Sequence, residues 1–125
     1  MLRDGQRPTG LRRLWLATLN SLRGLKHCYQ SEAAFRQEVW AACLLLPAAL
    51  WLGRNGIERA LLAGSVVLVM IVELLNTGIE VVVDRISVER HHLSKFAKDL
   101  GSSAVLFALL LAALTWGVVI ADRPY

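Results

Sequence analysis

Along this chain, apolar residues fall into three long runs, and one run is interrupted by charge. A charge-free stretch from Val39 to Gly53 holds 15 residues, about 22 Å of helix at the usual rise. It reaches across a bilayer only if the preceding "EAAFRQE" turns continue the same helix. A second run, Ala60 to Val83, has 24 residues, and a third, Leu100 to Ala121, is charge-free for 22. The pattern predicts spans over about 33–53, 60–83 and 100–121. Trp40, Trp51 and Trp116 stand near run ends, where aromatic rings favour the membrane–water interface. Ahead of the runs, Leu11, Trp15, Thr18, Leu22, Leu25 and Tyr29 recur at helical spacing. Arg12, Arg23, Lys26 and His27 take the other side, with Leu16 and Leu19 intruding. This predicts an amphipathic helix over about 11–30, lying on an anionic membrane surface or packed on the rest of the chain. The fold class expected is an all-α membrane protein of one domain, a surface helix followed by three transmembrane helices.

The second run carries Glu73, Asn76 and Glu80, and Asp84 follows directly at its end. With Glu73 at zero and 100° per residue, Asn76 lies at about 300°, Glu80 at about 340° and Asp84 at about 20°. All four share one face. Ionised groups in hydrocarbon cost roughly 2.5–3.5 kcal/mol each even on insertion-derived scales, so this stripe calls for a function.

Composition adds direction. The 125 residues are 55% hydrophobic with a net charge of +4. Eleven Lys and Arg lie in the segment through Arg36 and in the stretch Asp84–Asp99, against Arg54, Arg59 and Arg123 elsewhere. That bias puts the N-terminus and the second loop in the cytoplasm and the C-terminus outside. Cys28 and Cys43 are too few for a disulfide framework and read as free thiols. The basic N-terminus lacks the short apolar core and small-residue cleavage site of a secretory signal.

Three readings of the stripe compete: a helix interface in which these groups satisfy one another or a neighbouring subunit, a proton or ion pathway, and a site for a metal-bound polyanion. Mg²⁺ is typically held by one or two carboxylates plus substrate phosphates. Glu32, on the same side of the membrane, can stand at the depth of Glu80. Glu73, about 10 Å deeper by helical rise, suits general-base work on a group arriving from the lipid. The loop "DRISVERHHLSKFAKDLGSS" brings Arg85, Arg90, His91, His92, Lys95 and Lys98 directly after the stripe. Cations beside carboxylates suit a Mg–nucleotide, although each also obeys the positive-inside rule. No GxxxxGK[ST] loop is present, which excludes a P-loop site.

The segments "EAAFRQE" (Glu32–Glu38), "VELLNTGIEVVVDRI" (Val72–Ile86) and "AKDLGSSAVL" (Ala97–Leu106) together resemble the small prokaryotic diacylglycerol kinase family, in order and spacing, over roughly Leu11 to Trp116. The "EAAFRQE" form is closer to the Gram-negative diacylglycerol kinases than to their undecaprenol kinase relatives, the alternative substrate class. The resemblance implies a homotrimeric kinase of the bacterial inner membrane, with Mg²⁺ as cofactor, ATP and diacylglycerol as substrates, membrane lipids as partners and no nucleic acid. It implies Glu73 as catalytic base and Glu32 and Glu80 as metal-binding acids. It implies Arg13, Asn20, Glu32, Asn76, Glu80, Glu89, His91, Lys98 and Asp99 around ATP. Arg13, Ala34, Phe35, Arg36, Gln37, Glu38, Glu73 and Ser102 would line the lipid site. Three positions depart from the pattern: Asn20 stands where a tyrosine is expected, Gly78 replaces an alanine, and His92 adds a second histidine. None removes an acid that the chemistry needs.

Overall fold

A computed structural model describes residues 8–122, so Arg3, Arg7 and Arg123 of the charge bias lie outside the described residues. Four helices follow one another: α1 (Gly10–Ser31), α2 (Ala33–Leu52), α3 (Gly56–Ile86) and α4 (His92–Ala121). The chain divides into two compact units, one through Ala33 and one from Ala34 onward.

In the first unit, α1 leaves Leu11, Trp15 and Leu22 exposed, together with Arg12 and Arg23 on its other side. Thr18 and Ser21 donate back to the carbonyls of Leu14 and Ala17 at 2.8 and 2.9 Å, which satisfies their hydroxyls without leaving the helix. The helix stops at Glu32, whose backbone is extended while its N–H still donates to Cys28 O at 2.8 Å.

In the second unit, the "EAAFRQE" turns do continue into the apolar run: α2 is one helix of 20 residues despite Pro47 in its interior. By length and composition α3 and α4 are the helices apolar enough to cross a membrane, because the first turns of α2 carry Arg36, Gln37 and Glu38. Burial on α3 falls at Leu62, Val66, Val69, Glu73 and Val83, with Asn76 and Glu80 half-buried between. Steps of four and three alternate throughout. On α4, Gly101, Val105, Ala108, Ala112, Thr115 and Val119 repeat the same steps. Two seams of period 3.5 thus face each other along α3 and α4, the repeat by which coiled coils pack. The third run also has alanines at four-residue spacing, Ala104, Ala108 and Ala112, but Ala104 is exposed and Gly101 and Val105 hold the seam there. A strict four-residue step drifts off a face that a four-three alternation follows.

At the end remote from the α3–α4 turn, Ala49, Leu62 and Val119 bring all three helices together, with Leu52, Ala63 and Trp116 around them. Trp116 donates its indole N–H to Ser65 Oγ at 3.1 Å and Leu62 O at 3.2 Å, so this ring is tied to α3, whereas Trp40 and Trp51 are exposed. The short α2–α3 link is capped: Asn55 Oδ1 accepts the Glu58 N–H at 2.9 Å. Arg54 pairs with Glu58 at 2.8 Å and reaches Asp122 at 3.3 Å. Arg59 Nε donates to the carbonyls of Leu50 and Gly53. Gly53 allows this, because a Cβ there would meet the Arg59 backbone. Both cysteines are free thiols.

Candidate functional site

The α3–α4 seam changes character halfway along. Below Val69 its apolar residues give way to Glu73, then Asn76 and Glu80, each on the next turn toward the α3–α4 loop. The first is buried, 7% exposed. It is not alone: the Glu38 carboxyl of α2 neighbours it. The second oxygen of Glu38 is buried without a partner. Charge is placed here by the same period that packs the apolar half of the helix.

One turn farther out, Asn76 Nδ2 donates to Glu80 Oε1 at 3.4 Å, while Asn76 Oδ1 is buried and unpartnered. Its carboxamide faces Gly101 of α4 so closely that a Cβ there would strike Oδ1. Asp84, on the calculated stripe, has left the seam: Val83 is buried in its stead and Asp84 is exposed. Its carboxylate takes Lys98 Nζ across the turn at 2.7 Å. The bond to Asp84, opposed by some desolvation and helped by the charges of Asp84 and Glu80, holds the Lys98 ammonium above its ordinary pKa.

The turn itself forms an open cleft of about 550 Å³ lined by Asp84, Glu89, Arg90, His91, Lys95 and Lys98 among others. His91 caps α4, its Nδ1 accepting the Leu93 N–H at 3.1 Å, and its ring stacks on that of His92 at 4.5 Å. The resemblance sets His91 beside ATP; the cap it makes on α4 is a further role. Glu89 is exposed, and its N–H donates to Ser87 Oγ. Asp99 pairs with Lys95 at 2.7 Å.

Of the other residues assigned by resemblance, Phe35 is packed inside at 2% exposure, Arg36 is half-buried, and Ala34, Gln37 and Ser102 are exposed. Arg13, Asn20 and Glu32 belong to the first unit: Arg13 is exposed, Asn20 Oδ1 accepts from Arg23 at 3.4 Å, and Glu32 ends α1. Within the second unit the structure brings Glu38, Glu73, Asn76, Glu80 and Lys98 along one path.

Among the described residues, no three His, Cys, Asp or Glu side chains gather as a ready metal cluster. That donor set fits Mg²⁺ carried by a nucleotide, which keeps several waters and takes one or two carboxylates together with phosphate oxygens. Glu80 offers a carboxylate here, one oxygen of which already accepts from Asn76.

The chain is similar to known proteins over most of its length. The sequence profile of the prokaryotic diacylglycerol kinase family matches residues 19–120. The chain is 50% identical over 112 residues to diacylglycerol kinase of Escherichia coli K12, covering 90% of this chain and 92% of that protein. It is 48% identical to diacylglycerol kinase of Haemophilus influenzae, over 90% of this chain and 95% of that protein. The corresponding enzyme of Pseudomonas aeruginosa is 47% identical over 90% of this chain and 91% of its own.

Proposed function

Because the chain belongs to the prokaryotic diacylglycerol kinase family, we propose that it transfers the γ-phosphoryl group of Mg–ATP to the free hydroxyl of diacylglycerol, giving phosphatidic acid and ADP. The observation that carries this reading is the descent of polar groups from the turn into one helix seam: Lys98 and Asp84 exposed at the turn outside it, Glu80 and Asn76 on it, and Glu73 with Glu38 at the inner end. A reaction between a water-soluble nucleotide and a lipid alcohol needs a site graded in this way.

Phosphoryl transfer asks of a protein mainly positioning and charge neutralisation. The lipid oxygen attacks the γ-phosphorus, its proton passes to the Glu73 carboxylate, and the bond from γ-phosphorus to the bridging oxygen breaks as ADP leaves. Glu38 holds Glu73 in place from α2. Glu80, and Glu32 by resemblance, would hold Mg²⁺, which when bound offsets the charge of the phosphate oxygens. Lys98 exchanges Asp84 for phosphate, and the His91 and Glu89 side of the cleft receives the nucleotide. Arg13 and Asn20 of α1 would complete the nucleotide side, and the Ala34–Glu38 turns with Ser102 the lipid side.

In this reading α2, α3 and α4 cross the bacterial inner membrane, with α1 on its cytoplasmic surface, the α3–α4 turn in the cytoplasm and the C-terminus in the periplasm. The chains assemble as a homotrimer. Exposed Leu106, Phe107, Leu110, Leu114 and Val118 on α4 support contact with lipid or a neighbouring copy. The test is ATP-dependent phosphorylation of diacylglycerol by the purified chain in detergent micelles, with undecaprenol in parallel. Phosphatidic acid is the expected product. Phosphorylation of undecaprenol alone changes the substrate, and no product from either lipid overturns the reading.

A further inference from the structure

Four glycines lie within α3 and α4 beyond their first turns: Gly64, Gly78, Gly101 and Gly117. A Cβ added at three of them meets nothing within 4 Å. Gly101 is the exception. There a Cβ would fall on Asn76 Oδ1, with Asn76 Cγ at 3.3 Å and Ile79 Cδ1 at an ordinary 3.7 Å. The conflict is therefore with one polar side-chain head and not with the helix packing. Two further facts bear on that head. Asn76 Oδ1 is buried with no hydrogen-bond partner, so its neighbour in the Oδ1 direction is the Gly101 Cα. The hydrogen that glycine carries in place of Cβ points at it, as in the C–H···O contacts common between closely packed helices. On its other side the carboxamide donates to Glu80 Oε1 at 3.4 Å, the outer limit of a useful hydrogen bond. No slack remains: a carboxamide pushed away from α4 turns its N–H off Glu80.

We propose that Gly101 is a positioning residue for the phosphoryl-transfer site: the absence of its side chain lets the Asn76 carboxamide stand between α4 and Glu80 and aim that carboxylate. The proposal rests on Glu80 acting as a metal-holding acid, as read above. Helix propensity alone predicts the opposite of a glycine here, since alanine is the better helix former. The apolar seam offers no reason either, because Ala108 and Thr115, both with side chains, fill the equivalent places one and two heptads on.

The experiment measures binding and not turnover. Mn²⁺ is titrated into the full chain in micelles, in the presence of the β,γ-methylene analogue of ATP, and free Mn²⁺ is read by electron paramagnetic resonance. Gly101→Ala weakens Mn²⁺ binding about tenfold, the loss of one hydrogen bond to a charged group. Gly117→Ala, the same change in open surroundings on the same helix, leaves it as it was. Asn76→Ala weakens binding to the same degree and makes room for the methyl, so the double variant Asn76→Ala/Gly101→Ala folds and loses no more than Asn76→Ala alone. Unchanged binding by Gly101→Ala, an equal loss in Gly117→Ala, or losses that add in the double variant as for independent sites each overturn the proposal. An unmodified chain that makes phosphatidic acid while Gly101→Ala binds Mn²⁺ normally refutes the role of Gly101 alone. An unmodified chain that neither makes product nor binds the Mn²⁺–analogue complex refutes the function and the role together.

Discussion

Trp116→Phe isolates one polar tie in the α3–α4 seam. The indole N–H has two acceptors, Ser65 Oγ at 3.1 Å and Leu62 O at 3.2 Å, and Ser65 Oγ itself donates to Leu62 O at 2.8 Å. Phenylalanine keeps most of the apolar contact with Ala49, Leu62 and Val119 and removes the donor. Nothing is left buried without a bond, because Ser65 still donates to Leu62 and the Leu62 carbonyl still accepts from Ser65. The penalty of an orphaned group is thus absent, and only the net value of the hydrogen bond is lost. In a bilayer that value averages about 0.6 kcal/mol and reaches about 1.7, or roughly a 3- to 18-fold change in the unfolding constant. Ser65→Ala leaves Trp116 bonded to Leu62 O, so its cost falls in the same range, and the two changes together cost less than their sum because they share one bond. Reversible unfolding in mixed micelles, followed by tryptophan fluorescence and circular dichroism, reads both numbers. A loss above about 3 kcal/mol for Trp116→Phe, or strict additivity of the pair, refutes the reasoning by showing that shape rather than the hydrogen bond holds this end of the seam.

Gly53→Ala drives a Cβ into the Arg59 backbone and destabilises by about 1–3 kcal/mol, whereas Gly78→Ala, which meets nothing, is neutral or stabilising by up to about 1 kcal/mol; unfolding midpoints of the two variants decide. His91→Ala removes the α4 cap at a cost of about 0.5–2 kcal/mol, and His91→Ser restores stability while the KM for ATP stays raised, because the ring facing the nucleotide is still missing. Lys98→Ala raises the KM for ATP and leaves that for diacylglycerol unchanged, since Lys98 stands at the turn and not at the lipid end. A KM for diacylglycerol that rises equally would remove Lys98 from the nucleotide side.

Much of this arrangement is written in period. The 100° step places Glu73, Asn76 and Glu80 together without reference to any neighbour, because a helix fixes its own geometry, and the structure has those three on one packed seam. Asp84 escapes the same arithmetic: over eleven residues a straight helix drifts from a 3.5-residue seam, and Val83 replaces it. The apolar runs mark α3 and α4, yet the polar first turns of α2 become legible only as part of a helix that continues into an apolar stretch. What the sequence conceals is tertiary. Nothing local marks Glu38 as the neighbour of Glu73, Trp116 as a donor to Ser65, or Gly101 as the one glycine of α3 and α4 facing a polar head, because each depends on how far α2 or α4 slides along α3. His91 is the local exception: it caps α4 through Nδ1, a role its sequence position does not announce because histidine is not among the usual capping residues.

In the function proposed above, charge is held in an apolar seam because Glu73 takes the proton of the lipid hydroxyl. It is tested most directly by the rate of phosphatidic acid formation from ATP and diacylglycerol for Glu73→Gln beside the unmodified chain, with Mn²⁺–nucleotide binding measured on both. Glutamine keeps the shape and can still meet Glu38, so the account predicts unchanged binding and a rate lowered by about 10²–10⁴-fold, the usual worth of a positioned general base. Glu73→Gln turning over at the rate of the unmodified chain would contradict it.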